Sequence, residues 1–356
     1  MSNLDDSKKI KELDKENALG SLRGMVDQLK TSWQGSKLVK IPPEYKEVQN
    51  IVVTGMGGSG LGGHFLRSVF DIPLPLQIVN DYRLPSFVGE KTLVVVSSYS
   101  GGTEETIAAL GAALEKKAKI IGVTSGGKLA QDLKQANLPF YQFDPKYNPC
   151  GQPRMGLGYS VGGILGFLSQ LGLVRLPDLE MEEITNHVAS VGLAFDLDSD
   201  LEKNPAKAAA SKLVGKIPAI VAAEFLVGNA HIFANQVNES AKTFAAYFLL
   251  PEINHHLLEG IRFPEGLGEK TKFVFLESGL YSKKIKTRVK ITKEVLARAG
   301  IESIAYNIKA NEKTLAGFEA LLFSSWTSFY LAVLNEIDPT PIPNVDFFKE
   351  QLAKFA

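Results

Sequence analysis

Short apolar runs alternate along this chain with longer stretches in which apolar residues recur every three or four positions. The first kind reads as a buried strand and the second as an amphipathic helix. In the first half, IVVTG (51–55), LQIVND (76–81), TLVVVSSYS (92–100), KIIGVTS (119–125) and LPFYQF (138–143) are strand-like. Helical patterns lie between them, through His64 and Phe70, over 104–118 and over 128–136. Ahead of these, Leu19, Leu22, Val26 and Leu29 share one face of a helical arm over 1–45, closed by Pro42 and Pro43. The second half repeats the theme. PAIVAAE (218–224), TKFVFLES (271–278) and IESIAYNI (301–308) are strands, with helices predicted over 230–248, 284–300 and 313–337. Gly300 stands where a helix C-terminal cap belongs.

Strands alternating with helices predict an α/β fold of parallel sheets flanked by helices on both faces, a doubly wound arrangement. The expected organisation is an arm over 1–45, a first domain over 46–180, a charged helical connection over 181–203, and a second domain over 204–356 ending in a helix. Two successive units of similar size suggest an internal duplication.

A length of 356 residues fits two domains. Basic and acidic residues balance at 39 each, which argues against a generic nucleic-acid or anionic-membrane binder but not against a small anionic ligand. The single cysteine, Cys150, cannot form an intrachain disulfide and fits a reducing compartment. The opening MSNLDDSKKIKELDKEN is charged and lacks the apolar core of a secretory signal. An uncharged stretch over 155–174 is long enough to raise the membrane question, but its six glycines fit a closely packed buried helix better. The expected location is the cytoplasm.

Two motifs carry candidate chemistry. TGMGGSGLGG (54–63) directly follows a strand, and its glycines let backbone N–H groups approach an anion at a helix N-terminus. Through Gly55, Gly57 and Gly60 it also matches the dinucleotide pattern, with Asp81 in place for a ribose. SSYSGGTEET (97–106) follows another strand, and Ser98, Ser100 and Thr103 add hydroxyls to exposed amides. A dinucleotide fold has no need of this second cradle, whereas a phosphorylated sugar must be gripped at both phosphate and chain. A plain N-cap by Thr103 is the structural alternative.

GMGGSG, VNDYRLP, SYSGGTEET and PRMGLGYS, followed by NQVNESAKTFA, PEINHH and PIPNVDFFKEQL, resemble the bifunctional phosphoglucose/phosphomannose isomerases, a branch of the sugar isomerase (SIS) domain proteins. The resemblance covers nearly the whole chain. It implies two SIS domains, a homodimer with a shared active site, and aldose–ketose isomerisation without metal or other cofactor. It places phosphate binding on Gly57, Gly58, Ser59, Ser98, Ser100 and Thr103. It places the proton-transferring carboxylate on Glu239 and the active-site arginine on Arg154. It places ring opening on His255, supplied by the neighbouring subunit, with the adjacent His256 as the other candidate, and assistance on Lys349.

These assignments agree with the chemistry. One carboxylate can take a proton from C2 and return it at C1 of a planar enediolate, a guanidinium can stabilise that anion, and a histidine suits ring opening near neutral pH. Two other readings stay open on the residues alone: a non-catalytic sugar-phosphate-binding regulator, and a nicotinamide-dependent oxidoreductase built on GMGGSG and Asp81. The five histidines form no HxH or HExxH pattern, so no metal site is expected.

Overall fold

The computed structural model describes residues 4–355. Two parallel sheets carry the chain. The first comprises β1 (Asn50–Thr54), β2 (Leu76–Val79), β3 (Thr92–Ser98), β4 (Lys119–Thr124) and β5 (Phe140–Gln142), in the order β2-β1-β3-β4-β5. The second comprises β6 (Ile217–Ala223), β7 (Ala246–Leu250), β8 (Thr271–Ser278) and β9 (Ser303–Ile308), in the order β7-β6-β8-β9. Every pairing is parallel, and four strands of each sheet follow one plan, with β6, β7, β8 and β9 standing where β1, β2, β3 and β4 stand. All seven residues of β3 are buried, which requires helices on both faces.

One predicted helix is corrected. The sequence pattern over 230–248 runs on as a helix, but the helix Val227–Ser240 stops and β7 follows. Lys242 takes a left-handed backbone, φ +48°, just past the helix end, where the chain must leave the helical path. Asn238 then ties the turn, donating to the Ala234 and Ala245 carbonyls and accepting from the Ala245 N–H. The aromatic run beyond it, Tyr247 and Phe248, has the strand preference that the continuous apolar pattern masked.

The N-terminal helices Ser7–Leu13, Ala18–Arg23 and Met25–Lys37 pack onto the first sheet's surroundings rather than extending away. Met25–Lys37 lies on Leu157–Gln170, which accounts for the glycines of the uncharged stretch. Gly158, Gly162 and Gly166, four residues apart, face Gln28, Ser32 and Ser36, also four apart. A β-carbon at Gly162 would stand 2.2 Å from Ser32 Oγ, and at Gly166 even nearer Ser36 Oγ. The halves meet in the same way. A β-carbon at Gly228 would lie 2.3 Å from the His64 carbonyl, so the helices Gly58–Val69 and Val227–Ser240 approach backbone to backbone. Lys313–Leu334 is long and apolar enough to cross a membrane, but 94% of its apolar window is buried inside the fold, as in a central core helix.

Candidate active site

The chain's two glycine- and hydroxyl-rich loops leave the carboxyl ends of the adjacent strands β1 and β3, where open parallel sheets bind ligands. They are laced together: the Tyr99 N–H donates to Ser59 Oγ at 2.8 Å, and Ser97 Oγ donates to the Ser59 carbonyl at 3.0 Å. Gly57 adopts φ +47° with open space where a side chain would be, leaving its peptide uncovered. Gly58 abuts the next segment, since a β-carbon there would meet Arg154 N at 2.5 Å.

Ser98 is fully buried. Its hydroxyl accepts from the Gly101 N–H at 3.1 Å and shares a hydrogen bond with Thr103 Oγ1 at 2.9 Å. Thr103 starts the helix Glu104–Glu115, yet its side chain makes no capping bond to it, so the plain N-cap is not what this residue does. Two hydroxyls share one proton between them, which leaves the second free to donate outward. Ser100 is exposed at the rim, where its Oγ accepts from the Gly102 N–H at 3.3 Å.

Arg154 sits in the short turn Pro153–Met155 with no exposed side-chain surface. All five of its N–H bonds are engaged. Nε donates to Ser240 Oγ at 3.0 Å, Nη2 to the Pro339 and Thr340 carbonyls at 2.7 and 2.8 Å, and Nη1 to Gln152 Oε1 at 2.8 Å and Glu239 Oε2 at 3.4 Å. The carboxylate contact is the longest of the five. Burial pulls the Arg154 pKa down, with the Glu239 charge acting against it. Glu239, in the last turn of Val227–Ser240, has a side chain 28% exposed. Burial raises its pKa above the ordinary value, opposed by the charges of Arg154, Lys349 and Lys242. Lys349, exposed on the helix Pro343–Leu352, thus faces Glu239 by charge rather than by contact.

Gly57, Gly58, Ser59, Ser98, Ser100, Thr103, Arg154 and Glu239 therefore form one connected region. His255 does not join it within the chain. It ends the turn Glu252–His255, is exposed together with His256, and among the described residues no hydrogen bond or ion pair connects it to Glu239 or Arg154. Asp81 is exposed and accepts from the Arg83 N–H at 3.3 Å.

Residues 202–352 match the family model of the bacterial phospho-glucose isomerase C-terminal SIS domain. A bifunctional phosphoglucose/phosphomannose isomerase of Caldicellulosiruptor bescii is 32% identical, over 94% of this chain and 98% of its own. The chain belongs to the bifunctional phosphoglucose/phosphomannose isomerase family. A D-glucosamine-6-phosphate 4-epimerase of Sulfolobus acidocaldarius is 32% identical over 61% of this chain and 65% of its own. Among solved structures, a hypothetical protein from Thermus thermophilus superposes with a TM-score of 0.72 at 20% identity, over 94% of this chain and 90% of its own, a likeness of fold.

Arg154 is held by residues that the sequence left unmarked. Gln152 and Ser240 are adjacent to recognised residues, and their polarity beside a motif was the available signal. Pro339 and Thr340 act through backbone carbonyls, for which side-chain patterns carry no signal. Gln28 is a further case: fully buried on the N-terminal helix, it donates to the Met155 carbonyl at 3.1 Å and pins the segment that carries Arg154.

Proposed function

We propose that this isomerase interconverts glucose 6-phosphate and mannose 6-phosphate with fructose 6-phosphate through a cis-enediolate. The observation that carries the reading is the Glu239 carboxylate. It is desolvated enough to be a stronger base than a surface glutamate, held 3.4 Å from the Arg154 guanidinium, and connected through Gly58 and the Pro153–Met155 turn to loops suited to a phosphate.

In this reading the Gly57 and Gly58 peptides and the hydroxyls of Ser59, Ser98, Ser100 and Thr103 hold the phosphate. Glu239 removes the C2 proton of the open-chain aldose. The C–H pair becomes the C1=C2 double bond, and the carbonyl oxygen takes the negative charge. Returning the proton to C1, while the C2 hydroxyl proton passes to the charged O1, yields the ketose. Arg154 Nη1 is the donor with something to give the enediolate, because its contact to Glu239 is the longest it makes. C2 is planar in the intermediate, so either C2 epimer is a substrate in principle. The cations Arg154 and Lys349 supply the charge stabilisation without a metal step. His255, exposed and away from the cluster, opens the ring from a second copy in a homodimer, and Lys349 assists it.

Purified protein is assayed with chelator for conversion of glucose 6-phosphate, mannose 6-phosphate and D-glucosamine 6-phosphate, beside Glu239→Gln. Turnover of both hexose phosphates, reduced on the order of 10²- to 10⁴-fold in the variant, supports the reading. Binding of sugar phosphate without turnover would replace it with a regulator, and activity on the amino sugar alone would move the substrate class.

A further inference from the structure

Beside Glu239 lies a third cation for which the proposed reaction has so far had no use. Lys242 is three residues past Glu239, at the turn where Val227–Ser240 ends. Its backbone is left-handed, φ +48°, a conformation in which glycine is at ease and lysine is strained. The chain nevertheless carries a long basic side chain there, and that side chain has a defined seat. Nζ donates to the carbonyls of Ser240 at 3.3 Å, Asp338 at 3.0 Å and Pro339 at 3.1 Å.

The Pro339 carbonyl is the one that also accepts from Arg154 Nη2. One oxygen therefore joins two cations, and the turn over 338–340 is held by both. That turn leads directly into the helix that bears Lys349. The ammonium makes none of its hydrogen bonds to a carboxylate. Its charge is shared through space with Glu239 and Asp338, and opposed by Arg154.

Resting on the isomerase reading, we propose that Lys242 is a positioning residue for the proton transfer. Clamped to the Ser240, Asp338 and Pro339 carbonyls, its ammonium fixes the Glu239 end of the helix against the Arg154 turn and adds a positive charge to those of Arg154 and Lys349 acting on the carboxylate.

The charge balance supports this. Burial, with Arg154 adding to it, brings the Lys242 pKa down to about 8, so its proton is within reach of ordinary assay pH. In the other direction, the Lys242 charge is among those that pull the Glu239 pKa down against burial. The groups that bear on the pair are Arg154, Asp338 and Lys349. As pH rises past about 8, Lys242 loses its charge and one of the three N–H donors of its clamp, which gives the reaction an alkaline limb.

The test is a ¹³C NMR titration of the Glu239 carboxyl in the wild-type protein and in Lys242→Met, with Lys242→Gly as the second variant because glycine suits the left-handed backbone. The expected result is a Glu239 pKa higher in both variants by on the order of half a unit to one unit. An unchanged titration overturns the proposal, and this readout holds whether or not the protein turns over any sugar phosphate. With turnover of fructose 6-phosphate in hand, Lys242→Met lowers kcat roughly tenfold or more while KM moves little, as for a charge acting mainly on the transition state. Lys242→Arg keeps the acid limb and moves the alkaline limb to higher pH. An alkaline limb that stays in place in the arginine variant, or a KM rise with kcat untouched, overturns the positioning role.

Discussion

Gln28 is the place to test whether the N-terminal helices hold the active site. The residue is fully buried on Met25–Lys37. Its amide nitrogen donates to the carbonyls of Ser21 at 3.1 Å, Tyr147 at 2.9 Å and Met155 at 3.1 Å, and its oxygen accepts from the Gly158 N–H at 3.2 Å. Gly158 is in the first turn of Leu157–Gln170, where backbone donors have no partner within their own helix. Gln28 thus caps one helix from another and, through Met155, fixes the turn that contains Arg154. An amide nitrogen has two hydrogens for three acceptors, so the working total is about three hydrogen bonds. At about 1 kcal/mol net for each of the two N–H donations, and with the Gly158 N–H left buried and unpaired for about 1–3 kcal/mol more, Gln28→Met is expected to destabilise by about 3–5 kcal/mol. Methionine is close in volume, so no cavity term is added.

Gln28→Glu separates hydrogen bonding from packing. It keeps the bond from Gly158 but turns a carboxylate toward three carbonyls. Desolvation raises its folded pKa above the unfolded value, so the folded state binds the extra proton. Stability of this variant is therefore lowest above the folded pKa and recovers as pH falls toward the unfolded one, near about 4.3. Gln28→Met carries no such term. Urea unfolding followed by the fluorescence of Trp33, buried on the same helix, reads both. Activity is expected to fall about tenfold or more in the methionine variant as Arg154 loses registration. A Gln28→Met protein within about 0.5 kcal/mol of wild type and fully active would refute the account.

Three other outcomes are expected. Because burial raises the Glu239 pKa and the base must be ionised, kcat/KM should fall with decreasing pH along a limb above 4.5, the ordinary value; a limb at or below it would remove Glu239 as the base. Thr103→Val takes away the outward-facing donor and the Ser98 partner, and a charge-assisted bond of about 1.5–3 kcal/mol corresponds to a KM rise of roughly 10- to 150-fold; an unchanged KM would place the phosphate elsewhere. Mixing Glu239→Gln with His255→Ala and letting subunits reassort should restore about a quarter of wild-type activity if His255 acts across a dimer, since half the dimers are mixed and each has one intact site. No recovery would return His255 to its own subunit.

Much of the fold was legible because strands and helices have different periods, and glycines follow β1, β3 and β4. β7 was not, because the apolar pattern runs on through Ala245 and Ala246 only five residues past the helix end, and Lys242 carries no sign of its left-handed backbone. The hydroxyls and glycines of the candidate site stand in contiguous motifs, so reading them required no tertiary knowledge. The saturation of Arg154 required it entirely: its partners come from 152, 239–240 and 339–340, and two of them are carbonyls. The four-residue spacing of Gly158, Gly162 and Gly166 and that of Gln28, Ser32 and Ser36 are each visible in sequence, but that one answers the other is a fact of packing.

The two halves share a strand plan, but the loops after their first and third strands are tied by different bonds. In the first half the residue tying the β1 loop to the β3 loop is Ser59, whose small neutral hydroxyl accepts from the Tyr99 N–H. In the second half the corresponding tie runs from Glu224, after β6, to Ser282, after β8. The Ser282 N–H donates to both Glu224 carboxylate oxygens, each at 3.2 Å. Ser282 caps the helix Lys283–Arg298, whose N-terminus and lysines would otherwise attract an anion. An incoming phosphate there would meet a fixed charge of its own sign, while Ser59 presents none. In the proposed reading the first half is therefore the one that takes the phosphate. The second half is free to lend its helix Val227–Ser240 to the site, with Glu239 at the end that faces Arg154. In the proposed reading, two halves with one strand plan form a single asymmetric site, with one loop pair open and the other closed by the Glu224 carboxylate.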